Sequence, residues 1–117
     1  MGLTYVTATV TGPTRKKAKV KFLIDSGAKY TLLPHDVWKK IKLVRKRVGT
    51  FTLADGTTID RQISECHIAL SLGDGHTPVI LGEAGDEALL GVVTLEELGL
   101  VLNPFNRTLQ PARLMLA

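Results

Sequence analysis

The sequence predicts a mostly β fold, a closed barrel-like sheet carrying two short helices, and three observations predict it. "LTYVTATVT" and "KVKFLI" alternate apolar and polar residues with period two on either side of a Gly-Pro turn. Two longer extended stretches, "VGTFTLA" and "TTIDRQISECHIALSL", flank the turn signal Asp55-Gly56. Only "HDVWKKI" and "TLEELG" carry helical spacing or capping signals. Strands of this kind have one apolar face, so the sheet must close or stack to bury it.

The elements follow in order. The chain opens with a β-hairpin whose tip is "TGPTRKKAK". After the "DSGA" turn, "YTLL" is short and extended, and Pro34 allows a helix to begin, with Asp36 favouring its N-terminus. Val37, Trp38 and Ile41 share one face of that helix. In the long stretch after Asp55-Gly56, Ile63, Cys66, Ile68, Leu70 and Leu72 alternate with one slip. "GDGHTP" reads as the next turn, "VILGE" as a short strand and "EALLGV" as a buried apolar run ending at Gly91. Thr94 is placed as the N-cap of "TLEELG", with Glu97 as its capping-box partner and Gly99 as the stop. The tail offers a strand, an "NPFN" turn and a second strand. Its last residues, "ARLMLA", either add a strand to a dimer or fray.

Size and composition narrow the function. With 117 residues, 44% hydrophobic and only 5% aromatic, the chain fits a single domain, 1–117, around a modest aliphatic core. No apolar run approaches the roughly 20 residues that span a bilayer, and "MGLTYVTATVTGP" has no signal-peptide pattern, so the expectation is a cytoplasmic protein with no membrane partner. One cysteine, Cys66, excludes an internal disulfide and fits a reducing compartment. The net charge of +4 is uneven: Arg15 to Arg47 holds most of the basic residues, and acids dominate from Asp60 onward. These basic runs lack interleaved aromatic stacking platforms and read as a hairpin tip, a helix end and a loop, so nucleic-acid binding is disfavoured.

The stretch "VKFLIDSGAKYTLLP" poses the chemical question, because Asp25 follows an apolar strand and precedes another. A buried lone carboxylate costs several kcal/mol unless it is compensated. As a plain turn residue it would bond local N–H groups, with Ser26 and Gly27 completing the turn. Ser26 is not set up as a serine nucleophile, since "IDSGA" lacks the Gly-x-Ser-x-Gly elbow. Cys66 and His67 are adjacent and point to opposite faces of a strand, which rules out a dyad. His35, His67 and His76 show no metal-ligand spacing, so neither metal nor cofactor is expected.

"LIDSGA", followed some 65 residues later by "ALLGV" and "TLEELGL", resembles the retropepsin-like aspartic proteases, single-domain relatives of pepsin. The resemblance covers roughly residues 3–111, and the short helix after "LLP" is closer to cellular and bacterial members than to retroviral ones. It implies an aspartic endopeptidase, a hydrolase acting on protein or peptide substrates as a two-fold homodimer, with one Asp25 from each protomer at the axis. Ser26 is implied to bond across the dimer, and Gly27, Ala28 and Lys29 to border the cleft. Ala54, Asp55, Gly56 and Thr57 fall where the family has its flap, and Leu89 and Gly91 fall on the cleft wall, with Leu53 and Ile63 as further apolar liners. Lys29 departs from the family pattern; it either points into the cleft or snorkels to solvent. The alternative is a catalytically silent module of the same fold that dimerises or binds peptides.

Amide hydrolysis suits this residue set. Water must be activated by a base while an acid protonates the carbonyl oxygen, and two carboxyls sharing one proton do both. Two like charges about 4 Å apart repel by about 4 kcal/mol at an effective dielectric near 20, which keeps one proton on the pair. Activity should therefore be bell-shaped, with an acidic to mildly acidic optimum.

Overall fold

The computed structural model describes residues 4–25 and 27–112. Tyr5–Thr11 (β1) and Lys17–Ile24 (β2) form the opening antiparallel hairpin, registered from Tyr5 opposite Leu23 to Thr11 opposite Lys17. Its tip needs Gly12, because a Cβ there would lie 1.9 Å from the carbonyl oxygen of Ile41. Thr31–Leu33 (β3) leads into the helix His35–Lys40 (α1), which begins after Pro34 with Asp36 in its first turn.

Arg47–Thr52 (β4) and Thr58–Leu70 (β5) form the second hairpin, followed by Gly73–Leu81 (β6) and the short Leu89–Leu90 (β7). A second helix, Val92–Glu97 (α2), precedes the small hairpin of Leu100–Leu102 (β8) and Leu109–Pro111 (β9). The main sheet runs β1-β2-β7-β3-β6-β5-β4, and β1 also pairs with β5 through Thr9 opposite Ala69. Six strands thus close into a ring, and β4 stands outside it. The expected mostly β architecture with two short helices is what forms.

The length of β5 explains the slip in its alternation. Its lower part, Ile63 to Leu70, pairs with β6 inside the ring, whereas Thr58 to Ile63 pairs with β4. Ile63 and Ser64 are both buried at the point where the strand leaves the barrel. Below it, Cys66 and Ile68 face a core completed by Val10, Phe22, Leu33, Ile41, Val79 and Leu90. Above it, the β4–β5 hairpin projects from the barrel with an exposed tip.

Two local expectations are corrected. "GDGHTP" is not a turn: β6 already starts at Gly73, and the chain reverses at Ser71 and Leu72. Gly73 and Gly75 serve close packing instead, since a Cβ at either would meet Leu98 at 3.3 and 3.1 Å respectively. Thr94 is not an N-cap: Gly91 holds that position, with φ −96° and ψ 170°, and no side chain caps the helix. The first-turn amides of α2 are satisfied by backbone, Val92 donating to Ala28 O and Val93 to Lys29 O, both at 2.9 Å. Gly99, with φ +70°, ends the helix as expected.

Candidate active site

Asp25 is the first residue beyond β2, and backbone contacts fix it on both sides. Its N–H donates to Leu90 O at 3.2 Å, and its carbonyl accepts from the Ala28 N–H at 3.0 Å. The carboxylate Oδ1 accepts from the Gly27 N–H at 2.9 Å. A Cβ at Gly27 would come 3.2 Å from that oxygen, so glycine leaves room for the carboxylate. Asp25 is half-buried and Gly27 exposed, which opens this turn to one side. Among the described residues no cation lies within ion-pair distance of Asp25.

The wall beside the turn is built by β7 and the start of α2. Leu89 and Leu90 run parallel to Leu23 and Ile24, which places Gly91 against the backbone of Lys29 and Tyr30. A Cβ on Gly91 would lie 2.4 Å from the Tyr30 carbonyl carbon and 2.7 Å from Lys29 O. Beneath this contact the Gly91 N–H donates to Thr31 Oγ1 at 3.0 Å. Thr94 Oγ1 in turn bonds the hydroxyls of Thr31, at 2.5 Å, and Thr77, at 2.9 Å. All three threonines are fully buried, and their mutual bonds are what make that tolerable. This network is how α2, β3 and β6 hold the wall, and sequence reasoning missed it by assigning Thr94 to a cap.

The β4–β5 hairpin reaches over the same region. The rings of Tyr30 and Phe51 meet edge to face with centroids 5.8 Å apart, linking β4 to the residue after Lys29. At the tip, Asp55 Oδ1 accepts from the N–H and hydroxyl of Thr57 at 3.0 and 2.6 Å, and Gly56 supplies φ +89°. The Thr57 hydroxyl, then its N–H, holds the Asp55 carboxyl below the usual carboxylate range. Ala54, Asp55, Gly56 and Thr57 are all exposed.

The structure therefore brings Asp25, Gly27, Ala28, Lys29, Leu89 and Gly91 to one end of the barrel, and Phe51 of the hairpin meets the adjoining Tyr30. Lys29 is exposed, its Nζ 6.0 Å from the Tyr30 ring centroid, and borders a concavity of about 320 Å³ shared with Gly27, Ala28, Val92, Val93 and Glu96. Leu53 is exposed near the hairpin tip, but Ile63 is only 2% exposed, with its Cδ1 2.6 Å from where a Cβ on Gly49 would lie, so it is no open liner. Ser26 and residues 113–117 of the tail lie outside the described residues.

Other chemistries lose ground. Cys66 is buried, and burial pushes its thiol up to about 12, far from a reactive thiolate. His67 bonds Asp74 at 2.7 Å on the opposite face, and His76 approaches Glu65, which Lys46 also holds. Lys46 is the main cause of a lowered Glu65 carboxyl. Among the described residues no group of three or more His, Cys, Asp or Glu side chains is arranged to hold a metal ion. Nor is any described helix long and apolar enough to cross a membrane.

Residues 10–97 match the model of a family described as "gag-polyprotein putative aspartyl protease". The chain belongs to this family of retropepsin-like aspartic proteases. The solved structures include a similar one, the solution structure of simian foamy virus (mac) protease, with a TM-score of 0.57 and 15% sequence identity. That likeness covers 80% of this chain and 92% of the viral one, and it shows that this family member has the retropepsin fold. No curated protein matches the sequence.

Proposed function

We propose that this family member is a single-domain aspartic endopeptidase that works as a two-fold homodimer. The observation carrying this reading is the state of Asp25: its backbone is pinned by Leu90 and Ala28, one carboxylate oxygen receives the Gly27 N–H, and among the described residues no cation lies within ion-pair distance of it. An isologous interface puts any residue on the two-fold axis against its own copy, so a second Asp25 can share a proton with the first. The ionised carboxyl takes a proton from a water held between the pair as that water attacks the peptide carbonyl carbon. The protonated carboxyl hydrogen-bonds the carbonyl oxygen and transfers its proton there, giving a tetrahedral diol. The carboxyl that took the water's proton then gives it to the nitrogen while the other takes a proton from one hydroxyl of the diol, and the C–N bond breaks to leave an amine and a carboxylic acid.

Ala54, Asp55, Gly56 and Thr57 act as a flap over the bound peptide, a role supported by their exposure at the hairpin tip and by the hairpin's contact with Tyr30 through Phe51. Ala28, Lys29, Leu89 and Gly91 border the cleft. The helix α1 after β3 supports a place among the cellular and bacterial members. A cytoplasmic location accords with the single reduced, buried Cys66.

Digestion of a mixed peptide library between about pH 4 and pH 7 tests the reading, with wild type compared against Asp25→Asn. Cleavage confined to wild type is expected. An identical digest from both proteins would reject the assignment and leave the silent peptide-binding or dimerising module of the same fold.

A further inference from the structure

The β4–β5 hairpin touches the rest of the molecule above the barrel at a second place besides the Tyr30–Phe51 contact. Arg61 lies opposite Gly49 on the part of β5 that has left the ring. Its side chain is only 23% exposed and reaches two carboxylates, hydrogen-bonding Glu83 through Nη1 and lying 3.9 Å from Asp86. Both acids belong to the segment 82–88 between β6 and β7. Asp86 Oδ2 accepts from the Glu83 N–H at 2.7 Å and the Asp86 N–H donates to Glu83 O at 3.0 Å, so the two acids form one rigid turn.

That turn is anchored at each end. Upstream, the Gly82 N–H donates to Leu33 O and Gly82 O accepts from Trp38 Nε1, both at 2.8 Å. Downstream, the chain enters Leu89–Leu90, whose Leu90 carbonyl holds the Asp25 N–H. Between the hairpin base and this segment lies a cavity of about 400 Å³ bordered by Trp38, Asp60, Arg61, Gly82 and Glu83. The seam is open, and Arg61 spans it. A planar guanidinium that bonds one carboxylate and faces a second fixes direction as well as distance.

We infer that Arg61 is a positioning residue that holds the β4–β5 hairpin above the Asp25 turn by clamping it to Glu83 and Asp86. Its kinetic consequence rests on the protease reading proposed above; its mechanical consequence does not. Arg61 touches no substrate under this inference. It sets how much of the hairpin is already in place when a peptide arrives, so its loss weakens binding and leaves the bond-breaking step intact.

The test uses the full chain with Arg61→Met, Arg61→Lys and the double variant Glu83→Gln/Asp86→Asn, which keeps the hydrogen-bond acceptors and removes their charge. Amide hydrogen exchange is followed at Thr50–Leu53 and Thr57–Ile59, with β2 and β6 as internal references. Arg61→Met and the double variant should speed exchange in the hairpin by about fivefold or more while the references stay unchanged, and Arg61→Lys should recover most of the protection. On a cleaved peptide, KM should rise about fivefold with kcat within about twofold. Unchanged hairpin exchange, an equal rise in the references, or an unmoved KM beside a loosened hairpin would each overturn the inference. Selective loosening in a protein that cuts no peptide keeps the clamp and removes the protease reading.

Discussion

Gly91 sits with its Cα against the carbonyl of Tyr30, so that a methyl group there would lie 2.4 Å from the carbonyl carbon and 2.6 Å from its oxygen. This contact presses the strand that holds Asp25's amide onto the strand that leaves the Asp25 turn. Gly91→Ala should therefore shift backbone and cost about 1–3 kcal/mol of stability, as overpacking does. Chemical denaturation measures the loss, and peptide cleavage should fall with it. An alanine variant as stable and active as wild type would show that the two strands have freedom the contact does not suggest.

The hydroxyl network beneath that contact makes a separate prediction. Thr94→Val keeps the shape of the side chain and strips Thr77 and Thr31 of a shared partner. Thr31 keeps the Gly91 N–H and Thr77 the Pro78 carbonyl, so losing the shared partner should cost about 0.5–1.5 kcal/mol, and Thr94→Ser should restore most of it. Equal stability of the valine and serine variants would contradict the role assigned to the hydroxyl.

Cys66 predicts how stability changes in alkali. Burial raises its thiol from 9.0 to about 12, so the unfolded chain loses this proton first. The neutral thiol's contribution is complete below about pH 9 and is lost as pH rises toward the folded value near 12. Below pH 9 the native thiol should resist alkylation and react on unfolding. Rapid alkylation under native conditions would contradict its burial.

Asp55 makes the opposite prediction in acid. Its carboxyl is held below 3.8 by the Thr57 hydroxyl and N–H, so the turn it braces persists above that value and weakens as pH falls through the lowered one. An NMR titration following the Thr57 amide should place the transition below 3.8. The hairpin tip then stays intact across about pH 4 to pH 7. A tip that melts near pH 5 would contradict this.

The barrel was legible because its strands alternate cleanly, and the slip near Ile63 marked where β5 leaves the ring. The Asp25 turn and the Leu89–Gly91 element were legible because "LIDSGA" and the later "ALLGV" together carry the paired pattern of one family, where either alone is weak. Thr94 misled because its capping signal is local, whereas its partners Thr31 and Thr77 are distant in sequence. Gly73 and Gly75 misled for the same reason, since the Leu98 they accommodate lies across the fold. Arg61, Tyr30 and Phe51 gave no sequence signal, because an ion pair or ring contact between remote strands leaves no periodic mark.

The central claim is that one active site is made by two copies of Asp25. Wild-type and Asp25→Asn protomers, unfolded together in equal amounts and refolded, should distribute randomly among dimers, leaving about one quarter with both carboxyls. Peptidase activity per protomer should then fall to about one quarter of the wild-type value. A fall to about one half would mean that each protomer acts alone, and would contradict the shared site.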